Sequence, residues 1–282
     1  MSSKTILITG ATNGIGYHAA VALARMGHAL ILHGRDPKKG AAVVAAIRRE
    51  VGGADLRFMQ ADFASLTDVR RLAAEVNALP RLDVLINNAG SLFLQRSQTS
   101  DGFEMTFGVN HLAPFLLTNL LLDKLKAAGA ARIVNVASNA HRRGGPINFS
   151  DLMSTRSYAG FKVYGRSKLA NVLHTRSLSQ RLVGTGVTTN CLHPGVVRTG
   201  FGHNSGLAMR IALKIAGRIF MISPEEGALT TVYLATAPEV EGVSGLYFAR
   251  CRPAQLAQFA EDAQAAERLW AESEELVGLR GQ

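Results

Sequence analysis

The sequence predicts a doubly wound parallel α/β sheet with helices on both faces, and three observations predict it. Short runs that are apolar throughout alternate with amphipathic helical patterns along the chain. A glycine-rich turn, ITGATNGIG, separates the first apolar run from the first helical pattern. The notable polar clusters fall just after apolar runs, where a doubly wound sheet places its ligand site.

The elements follow in order. TILITG (5–10) is the first strand, and YHAAVALARMG after the glycine turn is the first helix. ALILHG (29–34) is the second strand, and PKKGAAVVAAIRREV, closed by Gly52-Gly53, is the second helix. LRFMQAD (56–62) and LTDVRRLAAEVNAL make a third pair; LDVLINNAG (82–90) is a fourth strand with a long helix after it, around 103–127. ARIVNVAS (131–138), VTTNCLHPG (187–195) and VSGLYFA (243–249) complete the strands. No Pro/Ser-rich linker and no internal repeat interrupts this alternation, so 1–282 reads as a single domain.

Composition narrows the function. A chain that is 47% hydrophobic and 18% charged builds a sizeable core and is not disordered. Cys191 and Cys251 lie far apart without metal-ligand spacing, so both are expected as reduced thiols, Cys191 as a core filler, with no metal site. MSSKTILITG runs into a strand pattern without an apolar signal region, and no uninterrupted stretch approaches the roughly 20 apolar residues of a membrane span. The expectation is a soluble, cytoplasmic protein. The net charge of +10 admits an anionic partner, but no block of like charges and 6% aromatic content argue against nucleic acid.

The glycine turn is a candidate cofactor site. Gly10, Gly14 and Gly16, with Thr12, Asn13 and Ile15 between them, let the backbone turn tightly and a pyrophosphate approach a helix N-terminus. Their spacing is G-x3-G-x-G. After the second strand, the tip that would carry a ribose-binding carboxylate in an NAD site is Gly34, followed by Arg35. A guanidinium there suits a 2′-phosphate, which favours NADP over NAD. Asp36 is the counterweight: it could pair with Arg35 or accept a ribose hydroxyl.

Six ordered motifs then carry a resemblance. TGATNGIG, NNAG (87–90), Asn110 in GVNHLAPF, Ser138 in NVAS, YGRSK (164–168) and HPGVVRT (193–199) together resemble the short-chain dehydrogenase/reductase family, a Rossmann-type fold, over about residues 4–250. YGRSKLANVLHTRSL and the closing AERLWAESEELVGL are similar to its retinol dehydrogenase and protochlorophyllide reductase-like branch. That branch acts on carbonyls and alcohols of bulky apolar molecules. The 26 positions between Ser138 and Tyr164 leave room for an inserted loop over about 139–157, which the branch also has.

The resemblance implies a set of roles. Tyr164 is the general acid in carbonyl reduction or the base in alcohol oxidation. Lys168 lowers the phenol pKa and binds the nicotinamide ribose, as a nearby cation favours phenolate. Ser138 holds the substrate oxygen, and Asn110 supports a water linking Lys168 to solvent. Asp62, with Phe63 beside it, is implied at the adenine edge, and Asn87 to Gly90 (Asn88, Ala89 and Gly90 at the cofactor) form the adenosine-side wall. Pro194, Gly195, Val197 and Thr199 form the turn at the nicotinamide carboxamide and pyrophosphate. His193 is read as structural, and His111 and His141 as ordinary polar residues. Read without the resemblance, Tyr164 and Lys168 merely share a helix face, and Ser138 is a plain N-cap. Gly165 and Arg166 between the pair are expected to point elsewhere.

The expected function is NADP(H)-dependent hydride transfer between nicotinamide and a carbonyl or alcohol on a bulky apolar small molecule. The alternative is a dinucleotide-sensing binding protein on the same fold, without turnover. A substrate lid is expected over about 200–223, where Arg210, Lys214 and Arg218 recur among apolar residues. Such a basic amphipathic helix also suits peripheral contact with anionic membrane. Family members commonly pair through the helix starting near Tyr164, so a homodimer is expected. The stretch 253–282 is a helical C-terminal extension.

Overall fold

The computed structural model describes residues 3–195 and 222–280. Seven parallel strands form its centre: β1 (Thr5–Ile8), β2 (Ala29–Gly34), β3 (Leu56–Gln60), β4 (Val84–Asn87), β5 (Arg132–Val136), β6 (Thr188–His193) and β7 (Tyr247–Ala249). Their spatial order is 3-2-1-4-5-6-7, and a short β8 (Arg252–Pro253) pairs antiparallel with β7 at the edge. Strand order reverses between β1 and β4, which makes the crevice beyond their carboxyl ends the switch point of the sheet. In register, Ile8 lies level with Leu32 on one side and Ile86 on the other. The next residues along, Thr9, His33 and Asn87, therefore emerge together at that crevice.

Side-chain alternation divides the sheet into two apolar faces. Ile6, Ile8, Leu30, Leu32, Val84, Ile86 and Val134 face α1 (Gly14–Arg25), α2 (Pro37–Glu50) and α6 (Pro224–Thr236). Leu7, Ile31, Met59, Leu85, Ile133 and Cys191 face α3 (Leu66–Asn77), α4 (Met105–Ala127) and α5 (Gly160–Arg181). Cys191 is the expected core filler, a free thiol that burial pushes up to about 12. Helix starts are fixed by side chains. The Asp36 carboxylate accepts from the N–H groups of Lys38 and Lys39, and the Ser65 hydroxyl from that of Asp68. Helix α6 was not among the expected elements, yet Ser223-Pro224-Glu225-Glu226 is a capping box with proline at the first helical position.

Helix α4 is long and apolar enough, by length and composition, to cross a membrane, but most of it is buried against the sheet as a core helix. Glu104, fully buried, begins it by accepting from Thr106 N–H and Phe107 N–H with its two carboxylate oxygens. Residues Gly108–Leu112 widen into a π turn before the α-helix resumes.

The C-terminal extension ends in α7 (Ala263–Leu276), whose Leu269 and Trp270 are buried along α5. Arg181 on α5 pairs with Glu267 at 2.6 Å and lies 4.1 Å over the Trp270 ring. Ser273 meets buried His111 at 2.9 Å. The helix expected to pair with a second copy is thus covered along part of its length by its own chain.

Candidate active site

The glycine turn is shaped by contacts no side chain would permit. Gly10 and Gly14 have φ of 65° and 53°, and a Cβ on Gly16 would lie 2.4 Å from Gly10 O and 2.5 Å from Asn88 Nδ2. The start of α1 is an open anion seat: Asn13 makes no side-chain cap bond, and the first turn carries no acidic residue. Thr9, fully buried, is the hub that sequence reasoning missed. Its Oγ1 accepts from Asn88 N–H at 2.9 Å and Ala89 N–H at 3.0 Å, while Asn88 Nδ2 donates to Thr9 O and Gly10 O. The NNAG segment is in this way clamped to the glycine turn. Asn87, by contrast, turns into the core and donates to Thr118 and Asn135.

His33 was missed too. Its Nδ1 accepts from Gly10 N–H at 3.3 Å and its Nε2 donates to Ala61 O at 3.1 Å, joining the ends of β1, β2 and β3. Burial pushes it down to about 4, so at neutral pH it is uncharged with the proton on Nε2. Phe63 was expected at the cofactor, but its side chain belongs to the core and stacks on His33 with ring centres 4.5 Å apart. Apolar burial wins that ring, which leaves only its backbone for a ligand. Asp62 spends Oδ1 on the Ala64 N–H and remains half-buried as a turn residue.

At the tip of β2, Gly34 is required because a Cβ would meet the Thr12 methyl at 2.6 Å. Arg35 is exposed, and among the described residues no carboxylate lies within ion-pairing distance of it. The counterweight Asp36 is committed to capping α2.

Across the switch point, α5 carries Tyr164 and Lys168. Lys168 is buried, donates to Val136 O at 2.9 Å, and lies 5.7 Å from the centre of the Tyr164 ring. Burial pushes its ammonium down to about 8. Burial also pushes the half-buried Tyr164 phenol up to about 12, opposed by its hydrogen bond with Ser138. Desolvation is thus the larger influence on the phenol. The Ser138 hydroxyl accepts from Ala140 N–H at 3.1 Å and keeps its own proton to donate.

Asn110 sits in the π turn, with Oδ1 on Ser91 N–H at 2.8 Å and Nδ2 on Ser91 O and Ser167 Oγ. Gly90 lies against this group: a Cβ there would be 3.1 Å from Asn110 Oδ1 and 3.2 Å from Lys168 Nζ. Gly165 has its own explanation. The inserted loop crosses α5 there, with Gly144 Cα 2.8 Å from the place a Gly165 Cβ would take. Arg166 lines a small cavity together with Asn148, Asp151 and Ser154 of that loop. Pro194 and Gly195 (φ 98°) begin the turn after β6. Val197, Thr199 and nearly all of the expected lid lie outside the described residues.

A glycine cradle at the switch point, an open helix N-terminus and a serine–tyrosine–lysine group facing them fit a dinucleotide and a reacting oxygen. Fold and site together define an NAD(P)-dependent oxidoreductase acting on alcohols and carbonyls. The comparisons agree. The sequence model for short chain dehydrogenase matches residues 4–209, and the chain belongs to that family. It is 45% identical to human retinol dehydrogenase 14 over 99% of this chain and 88% of that one. It is 48% identical to human retinol dehydrogenase 13, covering 98% and 85%. Human polyprenol dehydrogenase is 38% identical over 98% and 86%. Among solved structures, an uncharacterized protein from Mycobacterium paratuberculosis superposes with a TM-score of 0.78 at 33% identity, covering 98% and 94% of the two chains. A protein from Beutenbergia cavernae described as an NAD(P)-dependent gluconate 5-dehydrogenase, with bound NADP at low occupancy, gives 0.72 at 29% identity, covering 89% and 96%.

Proposed function

We propose that the protein uses NADP(H) to interconvert a carbonyl and an alcohol on a bulky apolar molecule, with Tyr164 exchanging the proton at the substrate oxygen. The observation that carries this reading is the convergence of Ser138, Tyr164 and Lys168 opposite the glycine turn. The bound nicotinamide supplies the hydride. Gly10, Thr12 to Gly16, Arg35, Asn88 to Gly90 and Pro194–Gly195 would hold it. Arg35 and the absence of a carboxylate at the β2 tip support a 2′-phosphate, and so NADP.

The chain's own groups do the rest. With its pKa pushed to about 12, Tyr164 is protonated at neutral pH, the form that donates to an oxygen gaining negative charge. The Ser138 hydroxyl, its acceptor side held by Ala140 N–H, donates to the same oxygen. Asn110, fixed through Ser91 and Ser167, holds the wall beside Lys168. The similarity to retinol and polyprenol dehydrogenases supports an apolar substrate. Phe161 supports it too: it lies about one turn before Tyr164 on the same helix and is an apolar ring left 56% exposed.

The test is oxidation of NADPH and NADH with a panel of retinaldehyde, polyprenyl aldehyde, steroid ketones and small aldehydes. The expected outcome is turnover of the large apolar aldehydes, faster with NADPH. Tight NADPH binding without turnover of any carbonyl or alcohol would instead favour a dinucleotide-sensing protein.

A further inference from the structure

Each of the three residues after Ser138 is tied to the chain beyond its own turn or back to the serine itself. Ala140 N–H bonds the serine hydroxyl. Asn139 N–H donates to His193 Nδ1 at 3.3 Å, and Asn139 Oδ1 accepts from Tyr247 Oη at 2.8 Å. His141 is fully buried and makes the longest reach. Its Nδ1 donates to Ser138 O at 2.7 Å, and its backbone N–H donates to the same carbonyl at 3.1 Å. Its Nε2 accepts from Ala257 N–H at 3.4 Å, in the strap that follows β8. Arg142, next in sequence, donates to Gln255 O of the same strap.

We propose that His141 is the positioning residue for Ser138, and that the strap Gln255–Ala257 acts through it to set the aim of the serine hydroxyl. The inference rests on the reading of Ser138 as the group that holds the substrate oxygen.

The geometry allows one state of the ring. A carbonyl can only accept and an N–H can only donate, so Nδ1 must carry the proton and Nε2 must be bare. A second proton would set Nε2–H against Ala257 N–H. Burial, partly opposed by the Ser138 carbonyl, holds the ring below its ordinary pKa and keeps it in the neutral state. Ser138 itself lies in extended conformation, φ −166° and ψ 154°, past the end of β5 and outside the sheet ladder. Without His141, its carbonyl would keep one backbone donor, and the turn that bears it would lose its link to the strap. The ring also packs edge-on against Tyr247, 5.0 Å between centres, so the residues that hold Asn139 and Ser138 brace one another.

A satisfied core histidine would stabilise the fold and leave the chemistry alone. The two roles separate in kinetics. His141→Phe removes both bonds while filling the space, and its kcat on the apolar aldehyde is expected to fall about 10- to 100-fold, with NADPH affinity unchanged within about 2-fold. In His141→Asn the side-chain amide can still donate to Ser138 O and cannot reach Ala257; kcat is expected between the two. Ala257→Pro tests the strap alone. Ala257 already has φ −73°, close to the value proline imposes, so the backbone can keep its course while a ring carbon replaces the N–H donor and pushes the strap off Nε2. Its kcat is expected to fall about 3- to 10-fold, with a larger primary isotope effect when the transferred hydride is deuterium.

If wild-type kcat persists in Ala257→Pro and in His141→Phe, or if kcat and NADPH affinity fall together, the positioning role is wrong. Should His141→Phe fail to fold, Ala257→Pro and His141→Asn decide the matter. A wild-type protein that turns over no carbonyl at all would overturn the proposed function instead, a distinguishable result.

Discussion

Beside β1 to β3, the edge of the sheet is built of backbone: Gly10, Gly14 and Gly16 shape it, and Thr9 and His33 clamp it through main-chain groups. Beside β5 and β6, it is built of titratable side chains forced out of water, with Lys168 pushed down to about 8 and Tyr164 up to about 12. The first half meets little penalty of that kind, since burial leaves His33 neutral at pH 7 and the rest is glycines and hydrogen-bonded hydroxyls. The second half carries a cost at neutral pH in its buried ammonium, which the proposed function explains by a proton that must move there, whereas the phenol is neutral and costs nothing of that kind below pH 10. The difference predicts opposite outcomes for mutations in the two halves.

The largest effect is expected from Lys168→Met. Turnover should fall about 1,000-fold, while the thermal midpoint rises. The folded-state pKa of about 8 lies below the ordinary lysine value of 10.5, so the cost of the buried charge is fully present below pH 8. It is relieved as pH climbs from about 8 towards 10.5. The stability gap between variant and wild type, on the order of 3 kcal/mol at neutral pH, should therefore close in that window. Thermal melts from pH 6 to 10 check this, and a variant less stable than wild type at pH 7 would break the contrast.

Gly16→Ala acts in the other half. Its methyl has nowhere to go between Gly10 O and Asn88 Nδ2, so NADPH affinity should weaken about 100-fold with kcat at saturation little changed. Titration of protein fluorescence with NADPH reads it. Arg35→Ala should lower the NADPH-to-NADH ratio of kcat/KM about 10-fold, and an unchanged ratio would sink the 2′-phosphate assignment. The smallest effect belongs to His33→Ala, about 3-fold in NADPH affinity, partly recovered in His33→Asn, whose amide oxygen can still accept from Gly10 N–H.

The same division explains what could be read from the sequence. The strand–helix alternation was legible from apolar periodicity, and the glycine turn and the bare tip at Gly34 were legible because positive φ and close approach restrict residue type so tightly. The Tyr164–Lys168 pair was legible only in company with Ser138 and Asn110, since a helix-face spacing alone says little. Thr9, His33 and His141 were not legible at all: each works through neighbours 28 to 116 residues away that only the sheet brings close. The π turn at Asn110 leaves no mark in the local pattern, while α6 went unexpected although Ser223 and Glu226 carry its capping signal. Gly165 was puzzling until the inserted loop was seen to cross α5 at that point.

The central claim is that proton transfer at the substrate oxygen belongs to Tyr164 and that cofactor binding belongs to the other half. Tyr164→Phe tests it most directly, measured as NADPH oxidation with retinaldehyde alongside NADPH affinity on the same preparation. The account predicts turnover lowered about 100- to 10,000-fold with affinity within about 2-fold of wild type. Turnover that survives the change, or affinity lost in step with it, would contradict the account.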